Sequence, residues 1–151
     1  MESQVLEVTN TAQITVNKVL YTGKVHTTGG REGFAKSEDD RLNVNLSTPG
    51  GPGNGTNPEQ LFAAGWSACF IGAIKINASK LKIAIPGDTA INAEVDLASG
   101  NDGFHLQARL HVSLPGLSLE DAKALVEAAH QTCPYSKATR GNINVLIDVV
   151  V

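Results

Sequence analysis

Apolar and polar residues alternate along the first third of the chain, and this pattern is typical of β-strands with one buried face. The alternation runs through residues 14–27 and predicts a first strand there. The glycine pair at 29–30 then indicates a turn. Two shorter alternating segments, residues 34–36 and 42–46, predict two more strands before a loop rich in glycine and proline.

A long apolar segment follows the loop and predicts a helix. Asn57 supplies a capping side chain, Pro58 suits the first helical position, and Glu59 places an acid in the first turn. From residue 61 to residue 81 the apolar side chains surround the helix rather than forming one stripe. A helix that is apolar all round is buried all round. A domain of this size rarely encloses such a helix alone, so we expect a partner subunit to cover it.

A second helix shows the opposite pattern. Ser118 can cap it, and Pro134 ends it. Its apolar residues recur at spacings of three and four and predict a single buried stripe, formed by Ala122, Leu125, Val126, Ala129 and Cys133.

The remaining strands complete the predicted fold. Segments 90–97 and 104–114 flank the turn residues Asn101-Asp102-Gly103 and predict a hairpin, and residues 143–151 alternate as a closing strand. The order β-β-β-α-β-β-α-β, without a βαβ rhythm, favours an α+β fold with antiparallel sheets packed around two main helices.

Size and charge narrow the function classes. The chain has 151 residues and a net charge of −3. We interpret residues 1–12 as a flexible lead-in and 13–151 as one domain. The absence of a basic cluster argues against nucleic acid and anionic membranes as partners. We see no secretory signal and no apolar stretch approaching the roughly 20 residues of a membrane helix, so we expect a cytoplasmic protein.

Cys69 and Cys133 are the side chains best suited to covalent chemistry. In a reducing compartment they are either buried hydrophobes or a thiol pair that cycles between redox states, and composition does not choose between these readings. Helix periodicity places both on core-facing surfaces, which makes contact between them possible. A reactive thiolate needs a nearby cation. Arg31 and Arg140, both beside turn glycines, are the candidates.

Whether Glu59 belongs to the same site as Cys69 depends on the helix that joins them. Glu59 lies ten residues before Cys69, so a straight helix separates the two by about 15 Å along its axis. They join one site if the helix breaks, for example at Gly65, or if they come from different subunits. His130 and Cys133 have the spacing of two metal ligands, but no second pair completes a four-ligand site, so we expect no metal.

At these residues the chain resembles the OsmC/Ohr family, and within it the organic hydroperoxide resistance proteins. The resemblance runs from about residue 18 to residue 151 and is carried by several motifs in order: Tyr21-Thr22-Gly23, Thr28-Gly29-Gly30-Arg31-Glu32-Gly33, residues 55–65, Ser67-Ala68-Cys69-Phe70 and residues 133–142. The continuation Tyr135-Ser136-Lys137-Ala138-Thr139-Arg140 after Cys133-Pro134 favours the organic hydroperoxide branch over the OsmC branch.

The resemblance implies a thiol peroxidase that works as an intertwined homodimer without a cofactor. By this resemblance Cys69 is the peroxidatic thiol and Cys133 resolves its sulfenic acid as a disulfide. Arg31 favours the thiolate, and Glu59 orients Arg31 through a bidentate pair. The implied partners are an organic hydroperoxide and a dithiol reductant carried by a lipoylated protein. The alternatives are an OsmC-type peroxidase of broader specificity and a redox-sensing or ligand-binding domain without turnover.

Overall fold

A computed structural model describes Gln4 and residues 14–151, so most of the lead-in at 1–12 lies outside the described residues. A 3₁₀ turn at Gly30–Glu32 separates the first two strands. The elements in chain order are β1 (Val25–Thr28), β2 (Phe34–Ser37), β3 (Asn43–Asn45), α1 (Pro58–Leu81), β4 (Ala90–Gly100), β5 (Gly103–Ser113), α2 (Leu119–Thr132), α3 (Pro134–Thr139) and β6 (Asn144–Val150).

The strands form two three-stranded sheets. The first has the order β1-β2-β3 and is antiparallel throughout. The second has the order β4-β5-β6, and its β4–β5 hairpin pairs antiparallel as expected. The expectation of antiparallel pairing is wrong for β6, which runs parallel to β5. Helices α2 and α3 lie between these two strands and carry the chain back across the sheet, as a parallel connection requires.

The predicted strand at residues 14–27 forms only at its end, because β1 begins at Val25. Residues 14–24 have no assigned strand, and their apolar side chains are exposed, with Leu20 87% and Tyr21 81% accessible. The small sheet gains one backbone hydrogen bond at the end of this segment, from the Glu38 N–H to the Lys24 carbonyl at 3.1 Å. Alternation alone does not make a strand, since a strand also needs a neighbour with free backbone groups.

Both main helices begin where their caps predict. The side chain of Asn57 accepts a hydrogen bond from the Gln60 N–H at 2.9 Å, and that of Ser118 accepts one from the Asp121 N–H at 3.1 Å. The predicted stripe of α2 is confirmed as buried. It packs against α1 and the inner face of the β4-β5-β6 sheet, where Leu110 and Val112 are fully buried.

Only one side of α1 is buried within the chain. Trp66, Phe70, Ala73, Ile74, Asn77 and Ala78 face the core. Ala64, Ala68 and Ile76 are exposed. The expectation that no apolar stretch has membrane length is wrong for α1, whose 24 residues are long and apolar enough to cross a membrane. In this fold, however, α1 packs against α2 and β4 as a core helix.

Candidate active site

The two cysteines lie against each other between α1 and the end of α2. The Sγ atoms of Cys69 and Cys133 are 3.4 Å apart, and both residues are free thiols. Cys133 is fully buried, whereas Cys69 is partly accessible. The fold thus brings together two sulfurs that are 64 positions apart in the sequence. Of the two, Cys69 is the one that a solute can reach.

Pro134 explains how Cys133 reaches this position. Residues that precede proline avoid helical backbone angles. Cys133 accordingly has φ −61° and ψ 123°, ends α2, and is followed at once by α3, which starts at Pro134. The kink turns the chain back over α1, so that a backbone hydrogen bond from Tyr135 also reaches Cys69.

The surroundings of Cys69 within one chain favour the neutral thiol. Burial raises the pKa of Cys69, the neighbouring Cys133 raises it further, and the backbone hydrogen bond from Tyr135 lowers it. Burial acts in this direction because it penalises the charged form. A reactive thiolate at neutral pH therefore requires a positive charge in addition to these contacts.

Arg31 and Glu59 form a second pair at the N-terminus of α1. The two guanidinium nitrogens Nη1 and Nη2 donate to Oε2 and Oε1 of Glu59 at 2.9 and 2.6 Å. The hydrogen bond from Arg31 is the main cause that lowers the pKa of Glu59. The Glu59 side chain is only 11% exposed and that of Arg31 is 38% exposed. A bidentate pair of this kind fixes the plane of the guanidinium.

A tight turn presents Arg31 to Glu59. Gly29 has φ 70°, and a Cβ atom there would lie 2.7 Å from the Cα of Gly33. Only glycine fits such a close approach in a left-handed conformation. The Thr48 hydroxyl donates to Glu32 in the same turn at 3.3 Å, which connects the turn to the glycine-rich loop.

The two pairs stand apart in a single chain. Helix α1 runs without a break through Gly65, so the proposed break does not occur. Glu59 and Cys69 are consequently about 15 Å apart along one helix axis. Gly65 has a different role, because a Cβ atom there would lie 3.0 Å from the Tyr135 hydroxyl. The missing side chain lets the Tyr135 ring pack edge-on against Phe62, with ring centroids 6.0 Å apart.

A cleft of about 620 Å³ lies beside the charged pair. Arg31 and Glu59 supply its charged end, and Ala93, Val95 and Leu97 of β4 supply an apolar wall. A few polar groups at one end of an apolar cleft suit a ligand with a polar head and an apolar tail.

The other sequence candidates lie outside these pairs. The Arg140 guanidinium donates to the backbone carbonyl of His130. Burial and the charge of Arg140 lower the pKa of His130. Among the residues that the structure describes, no group of three or more His, Cys, Asp or Glu side chains is arranged to hold a metal ion.

Sequence reasoning missed the contacts that seat Cys133 on α1. The indole Nε1 of Trp66 donates to the Ser136 hydroxyl at 3.2 Å, and both residues are fully buried. Helix α3 was also missed. Pro134 was the available signal, because proline ends one helix and equally suits the first position of the next.

Comparisons with known proteins agree with the motifs. A family model described as "OsmC-like protein" matches residues 50–148. An organic hydroperoxide resistance protein from Xanthomonas axonopodis pv. citri is 49% identical over 134 residues, which cover 86% of this chain and 94% of that protein. The chain belongs to the OsmC/Ohr family. The names of such relatives place it in the organic hydroperoxide resistance branch of that family.

Solved structures of this branch share the fold. An organic hydroperoxide resistance protein from Legionella pneumophila is 44% identical, with a TM-score of 0.83 over 89% of this chain and all of that one. The organic hydroperoxide resistance protein OhrB of Bacillus subtilis is 42% identical, with a TM-score of 0.82 over 87% of this chain and all of that one. The arrangement of two sheets and two main helices is therefore the fold of the family.

Proposed function

We propose that the protein is a thiol peroxidase that reduces organic hydroperoxides to alcohols and thereby protects against oxidative stress. The observation that carries this proposal is the 3.4 Å separation of the Cys69 and Cys133 sulfurs. A partly accessible thiol with a second thiol already in contact is the arrangement that a two-cysteine peroxidase needs. The names of its relatives make organic hydroperoxides the substrate class to test first.

The reaction divides into three balanced steps. The Cys69 thiolate attacks the terminal peroxide oxygen, the O–O bond breaks, and the alkoxide takes a proton to leave as an alcohol, which makes Cys69 a sulfenic acid. The Cys133 thiol then attacks that sulfur, and water leaves as the disulfide forms. An external dithiol finally reduces the disulfide, returning both thiols and becoming a disulfide itself.

The complete site requires two copies of the chain in this proposal. Glu59 binds Arg31 of its own chain. Glu59 lies about 15 Å from Cys69 along the axis of α1. A homodimer in which α1 of each copy covers the exposed face of the other lets the charged pair of one copy meet the sulfurs of the second. The exposed apolar residues of α1 and of residues 14–21 are surfaces that such a partner would bury.

Arg31 of the second copy would then supply the charge that Cys69 lacks. A guanidinium beside the sulfur favours the thiolate and stabilises the negative charge on the departing alkoxide. Glu59 would keep that guanidinium oriented. The apolar wall of the cleft would hold the alkyl tail of the substrate, which favours organic hydroperoxides over hydrogen peroxide.

The reductant and the location are part of the same proposal. The resemblance to the family supports a lipoylated protein rather than thioredoxin as the reductant, and the proposed location is the cytoplasm. Steady-state reduction of tert-butyl hydroperoxide, with dihydrolipoamide compared against thioredoxin, tests substrate and reductant together. We expect many turnovers with dihydrolipoamide and slow turnover with thioredoxin. Turnover of hydrogen peroxide comparable with that of tert-butyl hydroperoxide would instead support an OsmC-type peroxidase of broader specificity.

One observation favours a second candidate, a redox-sensing domain without turnover. The raised pKa of Cys69 within one chain is typical of a thiol that reacts slowly. Under this alternative Cys69 would oxidise, but consumption of hydroperoxide with excess dihydrolipoamide would stop at one equivalent per chain. Consumption beyond that equivalent excludes the sensing domain.

A further inference from the structure

Two buried side-chain hydrogen bonds connect α1 to the segment around Cys133. The first joins the Trp66 indole N–H to the Ser136 hydroxyl at 3.2 Å. Trp66 precedes Cys69 by three residues, and Ser136 follows Cys133 by three residues. The bond therefore lies about one helical turn from each sulfur. Because both groups are fully buried, losing one partner leaves the other without water to replace it.

The second hydrogen bond holds the segment on its other side. The Asn77 side-chain nitrogen donates to the Thr132 hydroxyl at 2.9 Å and also to the Ala73 carbonyl at 2.9 Å. Thr132 is the residue directly before Cys133. Trp66, Ala73 and Asn77 recur at spacings of seven and four and so share one face of α1. One face of α1 thus holds Cys133 from both directions.

We propose that the Trp66–Ser136 pair is a positioning device that sets how readily Cys133 closes a disulfide with Cys69. This proposal takes only one premise from the proposed function, namely that the functional disulfide joins Cys69 and Cys133. A disulfide has an S–S length of about 2.05 Å, so sulfurs 3.4 Å apart must approach by about 1.4 Å. Anchoring α3 to α1 keeps this approach small and raises the effective concentration of Cys133 at Cys69.

Two substitutions cut the hydrogen bond from opposite ends. Trp66→Phe removes the indole N–H and keeps an aromatic ring beside Phe62, whose ring centroid lies 5.8 Å from that of Trp66. Ser136→Ala removes the acceptor. Thr139→Val is the matched control, because the Thr139 hydroxyl is also buried in α3 but bonds to carbonyls of its own helix. It perturbs α3 without cutting the connection to α1.

The test measures the thiol–disulfide equilibrium without any peroxide. The protein is equilibrated in graded mixtures of lipoamide and dihydrolipoamide, quenched in acid and alkylated, and the Cys69–Cys133 disulfide is quantified by mass spectrometry. We expect Trp66→Phe and Ser136→Ala each to lower the equilibrium constant for disulfide formation by about tenfold, which raises the reduction potential of the disulfide by about 30 mV. The equilibrium constant of the double variant should fall no further than that of either single variant, because both substitutions remove the same hydrogen bond.

Two controls separate positioning from general destabilisation. Thr139→Val should stay within about twofold of the unmodified protein, and the alkylation rate of reduced Cys69 should change less than about twofold in all variants. An unchanged equilibrium in both single variants, an equal fall in Thr139→Val, additive losses in the double variant, or no disulfide in the unmodified protein would each overturn the proposal. Normal disulfide formation without hydroperoxide turnover would refute the proposed function alone.

Discussion

Helix α1 supplies one member of each of two pairs of candidate site residues, and the two pairs have opposite surroundings. Near its N-terminus Glu59 holds Arg31 at a partly exposed surface beside an open cleft. Ten residues later Cys69 lies against fully buried Cys133, where burial raises the pKa of its thiol. The first pair is charged and bidentate, and the second consists of two thiols in contact.

The difference between the pairs shows what a single chain lacks. The charged pair lies away from the sulfurs, and burial of Cys69 opposes ionisation of its thiol. Because α1 is continuous and has no break at Gly65, the two pairs stay apart within one chain. In the proposed homodimer a second copy would pack against its exposed apolar face and supply the missing charge. Each of the next three predictions changes one pair and leaves the other intact.

The largest effect is expected at Cys69. Cys69→Ser removes the nucleophile and should lower kcat/KM for tert-butyl hydroperoxide by at least about a thousandfold. The Arg31–Glu59 pair should be undisturbed, so unfolding by urea should change little. Retention of full peroxidase turnover would show that the sulfur pair is not the reaction centre.

Cys133→Ser should separate the two sulfurs by role. The first equivalent of hydroperoxide should still be reduced, because Cys69 is intact, and the sulfenic acid should then accumulate instead of a disulfide. Trapping with dimedone, followed by mass spectrometry, measures it. Equal disulfide formation in this variant would mean that Cys69 pairs with a thiol outside its own chain.

Arg31→Ala tests whether the charged pair acts on the sulfur pair. We expect kcat/KM to fall about a hundredfold through loss of charge stabilisation. The pKa of Cys69 should rise, so that its alkylation by iodoacetamide moves to higher pH. Arg140→Ala is the matched control, since that guanidinium contacts the His130 carbonyl, and it should leave the alkylation profile unchanged. An identical profile in Arg31→Ala would remove Arg31 from the site.

The local features of the fold were predictable because they depend on neighbouring residues. The caps at Asn57 and Ser118, the stripe of α2 and the β4–β5 hairpin all follow from short-range chemistry. The parallel pairing of β6 was not predictable from alternation, because the same pattern suits either direction. The strand predicted at residues 14–27 fails at 14–21 for a related reason. The apolar residues there are exposed and find no neighbouring strand in the described chain.

The candidate site was predictable as a set of residues but not as a geometry. Motifs pointed to Cys69, Cys133, Arg31 and Glu59, and helix periodicity allowed the cysteines to meet. The folded structure was needed to show that Arg31 binds Glu59 of its own chain and that α1 continues through Gly65 without a break. The distance between the pairs depends on long-range packing, which spacing along the sequence does not contain.

The smallest effect is expected on the outer face of the β4-β5-β6 sheet, at residues that belong to neither pair. The two ring nitrogens of His111 lie 2.8 Å from Asp148 and Glu94, and these hydrogen bonds raise the pKa of His111. Two acceptors require both nitrogens to carry protons. The stabilisation is complete below the unfolded pKa of about 6.5 and is lost as pH rises through the folded value.

His111→Gln should therefore destabilise the protein slightly near pH 6 and less near pH 9. Thermal unfolding at the two pH values measures the difference, and peroxidase turnover should be unaffected. A larger loss at pH 9 than at pH 6 would contradict the charged bridge.

Mixing two impaired variants tests the central claim, that the sulfur pair of one copy works with the charged pair of another. Cys69→Ser and Arg31→Ala chains are unfolded together in equal amounts and refolded. The control mixture is Arg31→Ala plus the Cys69→Ser/Arg31→Ala double variant, which keeps the residual activity of Arg31→Ala. Random pairing makes about half of the dimers mixed, each with one complete site of two, so we predict about one quarter of unmodified activity. Activity no greater than that of the control mixture would place the complete site within one chain and contradict the account.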